Sequence, residues 1–110
     1  MYTPVETLEK YNELIRKEQA LLFYFSTDDC QVCKVLKPQI EELLSDNFPK
    51  IKLFYINLNT SPRLSAQNRI FAVPTIQLVF GGHEYLRKSR SFSLAELQDE
   101  IARLYRVMFT

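Results

Sequence analysis

Cysteine is nearly absent: only two occur in 110 residues, and both lie in one Cys-x-x-Cys unit, Cys30 and Cys33. That count excludes a framework of structural disulfides. Histidine is scarcer still, with His83 alone. The two-residue spacing also serves zinc sites, but tetrahedral zinc needs four ligands, and no second Cys or His pair exists to complete the set. Charge of one sign is barely in excess, since fourteen basic residues against thirteen acidic ones leave a formal +1. The chain therefore carries no electrostatic footprint for nucleic acid or an anionic membrane. No apolar run is long enough to span a bilayer, and Met1-Tyr2-Thr3-Pro4-Val5-Glu6 has neither the basic nor the apolar region of a secretory signal, so a cytosolic location is expected. No repeat, low-complexity tract or Gly/Ser/Pro linker interrupts the chain, which reads as one domain over residues 1–110.

Apolar material is ample. With 46% hydrophobic and 25% charged residues, the chain has enough for one packed core. Thr3-Pro4-Val5-Glu6 combines a hydroxyl cap, a proline at the first helical position and a capping-box glutamate. A helix is expected from there to about Glu18, with Val5, Leu8, Tyr11, Asn12 and Ile15 on its inner face. Ala20-Leu21-Leu22-Phe23-Tyr24-Phe25 is an unbroken apolar run of strand length, as expected of a strand covered on both faces. Polar Ser26-Thr27-Asp28-Asp29 ends it. Val32, Leu36, Ile40, Leu43 and Leu44 then mark a helix to about Asp46, which the cysteines open and Pro38 bends. Residues 51–57 form the next strand, and Ser61-Pro62 caps a short helix through about Asn68.

Thr75-Ile76-Gln77-Leu78-Val79-Phe80, the only two glycines Gly81-Gly82, and Glu84-Tyr85-Leu86-Arg87-Lys88 make an antiparallel hairpin with His83 in its turn. His83 reads there as a solvated turn residue. Ser93-Leu94-Ala95-Glu96 is a second capping box, opening a last helix with Leu94, Leu97, Ile101, Leu104 and Met108 on one stripe. The expected order is αβαβαββα: an α/β fold with a mixed four-stranded sheet flanked by helices, which a short extra N-terminal strand would extend. Phe23, Tyr24, Phe25, Phe54, Tyr55, Phe71 and Phe80 read as core residues of strands rather than a base-stacking platform.

A thiol attacks only as thiolate, a minor form at neutral pH for a free cysteine with pKa near ~8.5. At the first turn of a helix, unpaired backbone N–H groups and the positive end of the dipole favour the anion at Cys30. Two intervening residues return Cys33 to within disulfide reach, so Cys30 attacks and Cys33 resolves the mixed disulfide. Asp28 and Asp29 oppose this by placing negative charge beside Cys30.

These residues resemble the thioredoxin family over nearly the whole chain. Leu21-Leu22-Phe23-Tyr24-Phe25-Ser26 followed by Cys30-Gln31-Val32-Cys33-Lys34 is similar to that family's central strand and active-site loop, and Pro38 stands where its kinking proline stands. Val73-Pro74-Thr75 resembles its cis-proline loop. The resemblance implies the thioredoxin fold, a cis Val73–Pro74 bond, and backbone groups there that pair with a substrate strand. It implies thiol–disulfide exchange at Cys30 and Cys33, with substrate contacts at Asp29, Gln31, Val32, Val73, Pro74 and Arg90. It also implies protein disulfides as substrates, a flavoprotein reductase as recycling partner, and a monomer needing no cofactor of its own.

The departures are informative. Asp29 replaces the tryptophan that usually precedes the first cysteine, and Gln31-Val32 replaces the usual Gly-Pro. Tyr24 stands where the family buries a proton-carrying aspartate, Tyr55 where it has a lysine, and Arg90 where a glycine keeps the groove open; Arg90 reads as a solvated surface charge, with a charged, selective groove made together with Asp29 as the alternative. A phenol with pKa near ~10 is a poor base at neutral pH, so Tyr24 reads as a core residue, and with relay and tryptophan both missing, reduction of general disulfides is expected to be slower than by a typical thioredoxin. A second reading, a non-catalytic module or redox sensor that docks one partner through the Pro74 groove, stays open.

Overall fold

The computed structural model describes residues 2–90 and 92–109. Strands β1 (Thr3–Pro4), β2 (Ala20–Ser26), β3 (Lys52–Asn57), β4 (Thr75–Phe80) and β5 (His83–Ser89) form one sheet in the order β1-β3-β2-β4-β5. Helices α1 (Leu8–Lys17), α2 (Gln31–Asn47), α3 (Pro62–Gln67) and α4 (Leu94–Met108) cover it. β2 pairs parallel with β3 and antiparallel with β4, and every residue of β2 is buried, as its unbroken apolar run demands.

The two-residue period of β2 divides the core. Leu22 and Tyr24 face α2 and α4, packing with Cys33, Leu36, Ile40, Leu97 and Ile101. Leu21, Phe23 and Phe25 face the other way, onto Tyr11 and Leu14 of α1 and Leu64 of α3. Gly81 and Gly82, at φ 57° and 84°, make the hairpin turn that needs positive φ at both central residues. His83 is the exposed first residue of β5 rather than part of that turn. Ser93 caps α4 by accepting from the Glu96 amide, as the capping-box spacing predicts.

The short extra N-terminal strand is present and extends the sheet, and it takes residues read as the start of the first helix. Thr3–Pro4 is strand, not helix: it pairs with Phe54 and Tyr55 at the open edge of β3, and the Val5 amide donates to the Tyr55 carbonyl at 2.9 Å. Burial of Val5 and these edge hydrogen bonds outweigh the local Thr-Pro-x-Glu preference. The helix starts one turn later, where the Thr7 side chain accepts from the Lys10 amide at 3.1 Å. Its buried face is Tyr11 and Leu14, and Asn12 is exposed. The order is therefore βαβαβαββα. Phe71 also departs, being 81% exposed because it lies in the loop between α3 and β4, outside any strand.

Candidate active site

The chain leaves β2 at Ser26, turns through Asp28-Asp29, and enters α2 with Cys30 as its N-cap residue. The Cys33 amide donates to Cys30 Sγ at 3.1 Å, so the first turn of α2 points an otherwise unpaired N–H at the sulfur, as expected for a helix start. Cys30 and Cys33 are joined in a disulfide, with their Cα atoms 5.2 Å apart. Burial separates their roles: Cys30 is half-buried, whereas Cys33 is 2% exposed beneath it.

Antiparallel pairing of β2 with β4 brings the Val73–Pro74 loop to the same edge as the cysteines, since Phe25 pairs with Thr75. The Val73–Pro74 peptide bond is cis. Thr75 closes this loop by donating its hydroxyl to the Ala72 carbonyl at 2.7 Å. Its single proton being committed there, Ser89 donates to Thr75 Oγ1 across the 2.9 Å contact. Among the described residues, nothing hydrogen-bonds the Val73 amide or carbonyl. A groove of about 540 Å³ runs between the two halves, lined by Cys30, Gln31, Val32, Ala72, Val73, Pro74 and Arg90. Asp29 lies in the turn before Cys30, exposed, and does not line it. Asp28 is exposed too and accepts from Asn57 Nδ2 at 3.0 Å.

Arg90 follows β5, and its amide donates to the Pro74 carbonyl at 2.7 Å. Its φ is 68°, a conformation free for glycine that costs other residues about 1 kcal/mol.

Under the dithiol lies a polar seam the sequence reading missed. Tyr24 is fully buried and its hydroxyl donates to the Cys33 carbonyl at 2.7 Å. Burial, then the neighbouring Tyr55, pushes its pKa well above the usual tyrosine range. Ser26 donates to the Tyr55 hydroxyl at 3.0 Å. Lys37 Nζ lies 3.9 Å from the Tyr55 ring centroid and 5.1 Å from that of Tyr2, whose hydroxyl donates to the Lys37 carbonyl. A lysine thus sits beside Tyr55 from α2 rather than from β3. Nothing local in the sequence signals this, because the contact joins residues far apart in the chain.

A second network ties β4 and β5 to α1 and to the end of α3. A register shift between Leu78 and Val79 puts Glu84 and Arg87 together on one face of β5, which strict alternation forbids. Arg87 donates to both Glu84 oxygens and to the Asn68 and Arg69 carbonyls where α3 ends. Buried Gln77 donates to Glu84 and accepts from Tyr11. Burial raises the Glu84 carboxyl, but bonds from Arg87 and Gln77 more than offset this and leave it below its ordinary value. Burial pushes the Tyr11 phenol up to about 12, with Glu84 adding to the rise while Gln77 and Arg87 oppose it.

Arg87→Ala is expected to destabilise the fold by about 1–2 kcal/mol, a modest figure because the pair is partly solvated. A carboxyl with a depressed folded pKa contributes stability above its unfolded pKa and loses it as pH falls through the folded value. The wild-type advantage over Arg87→Ala in urea melts should therefore shrink below about pH 4. A gap that persists there would assign the effect to packing alone.

The fold and the paired sulfurs define the class, the thiol–disulfide oxidoreductases. The chain belongs to the thioredoxin family, whose profile matches residues 3–103. It is 30% identical to the thioredoxin-like protein YdfQ of Bacillus subtilis (strain 168) over 105 residues, 96% of this chain and 93% of that one. With mitochondrial thioredoxin-2 of Schizosaccharomyces pombe it shares 31% over 101 residues, 86% of this chain and 75% of the other. In three dimensions it matches oxidized mitochondrial thioredoxin 3 of Saccharomyces cerevisiae with a TM-score of 0.84 at 20% identity, covering 93% and 94% of the two chains. Fasciola hepatica thioredoxin gives 0.82 at 22% identity, covering 94% and 98%.

Proposed function

We propose that the protein reduces disulfides in protein substrates through Cys30 and Cys33. The observation that carries this reading is the pairing of a half-buried Cys30 sulfur at the start of α2 with a buried Cys33 directly behind it. In the reduced protein the Cys30 thiolate, favoured by the Cys33 amide, attacks one sulfur of the substrate disulfide. A mixed disulfide forms and the other substrate sulfur leaves as thiolate, taking a proton from water. Cys33, deprotonated in turn, attacks Cys30 Sγ and expels the second substrate thiolate. The substrate gains two electrons, and the protein ends with the Cys30–Cys33 disulfide.

Gln31, Val32, Val73, Pro74 and Arg90 contact the substrate, and Asp29 contacts what extends beyond the groove. The free Val73 amide and carbonyl suit an extended segment laid beside them as an added strand. A flavoprotein reductase recycles the disulfide in a reducing compartment such as the cytosol. With dithiothreitol as electron source, insulin should be reduced, but more slowly than by a thioredoxin carrying the buried aspartate. Equal turnover would remove the argument from the missing carboxylate, and no turnover would remove the reading itself.

A further inference from the structure

We infer that the groove selects disulfides flanked by carboxylate side chains, with Arg90 as the residue that selects them. This rests on the reductase reading and adds to it the chemistry of the substrate. Of the described residues lining the groove, Arg90 alone is charged; the others are Cys30, Gln31, Val32, Ala72, Val73 and Pro74. Among the described residues its guanidinium has no ion-pair or hydrogen-bond partner, whereas Arg87 on the preceding strand is tied to Glu84. Other arginines also lack a partner among the described residues, but none of them lines this groove.

The backbone adds a second argument. Arg90 takes a conformation that glycine adopts freely, and its amide is clamped to the Pro74 carbonyl at 2.7 Å. The side chain therefore starts from a fixed point beside the cis proline, where a substrate strand paired with Val73 must pass. A positive charge so placed attracts a carboxylate next to the substrate cysteine and repels a lysine. Asp28 and Asp29 set opposite charge beside Cys30 from the preceding turn, but neither lines the groove, so Arg90 supplies the charge within the lining. Lys34, exposed on the first turn of α2, adds charge of the same sign outside it. The unpaired Val73 backbone favours a polypeptide over a small acidic disulfide, because only a chain can use both groups.

The test uses fully reduced protein and peptide disulfides identical except for glutamate, glutamine or lysine on both sides of the cysteine, mixed in stoichiometric amounts so that no reductase is needed. At low salt the glutamate peptide should react roughly fivefold faster than the lysine peptide. The ratio should fall toward one as salt shortens the screening length below about 10 Å. Arg90→Gly, which also relieves the backbone conformation and so cannot fail through strain, should bring the ratio near one, and Arg90→Glu should invert it. Because the ratio is read within each variant, a general change in rate does not enter. A small acidic disulfide reacting as fast as the glutamate peptide would overturn the assignment to polypeptides. Equal rates for the three peptides, or a ratio unmoved by Arg90→Glu, would overturn the selectivity and leave the reductase reading standing. Failure to reduce any of them would overturn both.

Discussion

Cys33→Ser should accumulate a covalent adduct with its substrate through Cys30, while Cys30→Ser should form none and lose disulfide reduction by at least about a thousandfold. The asymmetry follows from burial. Cys30 is accessible from the groove and receives the Cys33 amide, whereas Cys33 lies 2% exposed and can reach only the sulfur in front of it. Removing the buried thiol leaves the attack intact and stops the release. Non-reducing electrophoresis after quenching with an alkylating reagent reads the outcome directly. Adducts through Cys33 in the Cys30→Ser protein would reverse the roles. A partner retained equally by both variants without a covalent bond would favour a docking module over an exchanger.

The second large effect concerns Tyr24. Its phenol is buried, donates to the Cys33 carbonyl and titrates above the ordinary tyrosine range, so at neutral pH it cannot take the proton from the Cys33 thiol. Release of the mixed disulfide should therefore follow the ionisation of Cys33 itself, accelerating with pH along a single titration. Tyr24→Phe should keep that profile and cost about 1–2 kcal/mol of stability, from one lost hydrogen bond at a buried carbonyl. Tyr24→Asp should add a second ionisation near neutrality, because burial raises a carboxyl there. It should also cost about 3–5 kcal/mol, combining a cavity with a buried polar group. Stopped-flow release kinetics from pH 5 to 9, with denaturant melts of the same samples, measure both. Loss of release in Tyr24→Phe at neutral pH would make the hydroxyl a proton carrier after all.

Much of this site was legible in the sequence because its signals are local. Cys30-Gln31-Val32-Cys33 after an apolar run specifies a dithiol at a strand-to-helix junction, and Gly81-Gly82 specifies the hairpin that returns Arg90 beside Pro74. Thr3–Pro4 misled because its helix-start chemistry is real, yet the open edge of β3 competes for the same residues and wins. Lys37 over Tyr55, and the Arg87 bonds to the end of α3, were invisible for another reason. They join segments whose proximity depends on the finished sheet, and neither residue type at its position carries a periodic or capping signal.

The rung Phe25–Thr75–Ser89 ties three strands at the edge where the groove opens. The reactive sulfurs sit in one stretch with Gln31 and Val32, whereas Val73, Pro74 and Arg90 reach the groove from a later stretch of the chain. Part of the recognition surface is thus encoded apart from the reactive pair and meets it only in space. Substitutions in the later stretch can therefore reshape the groove while both sulfurs stay in place.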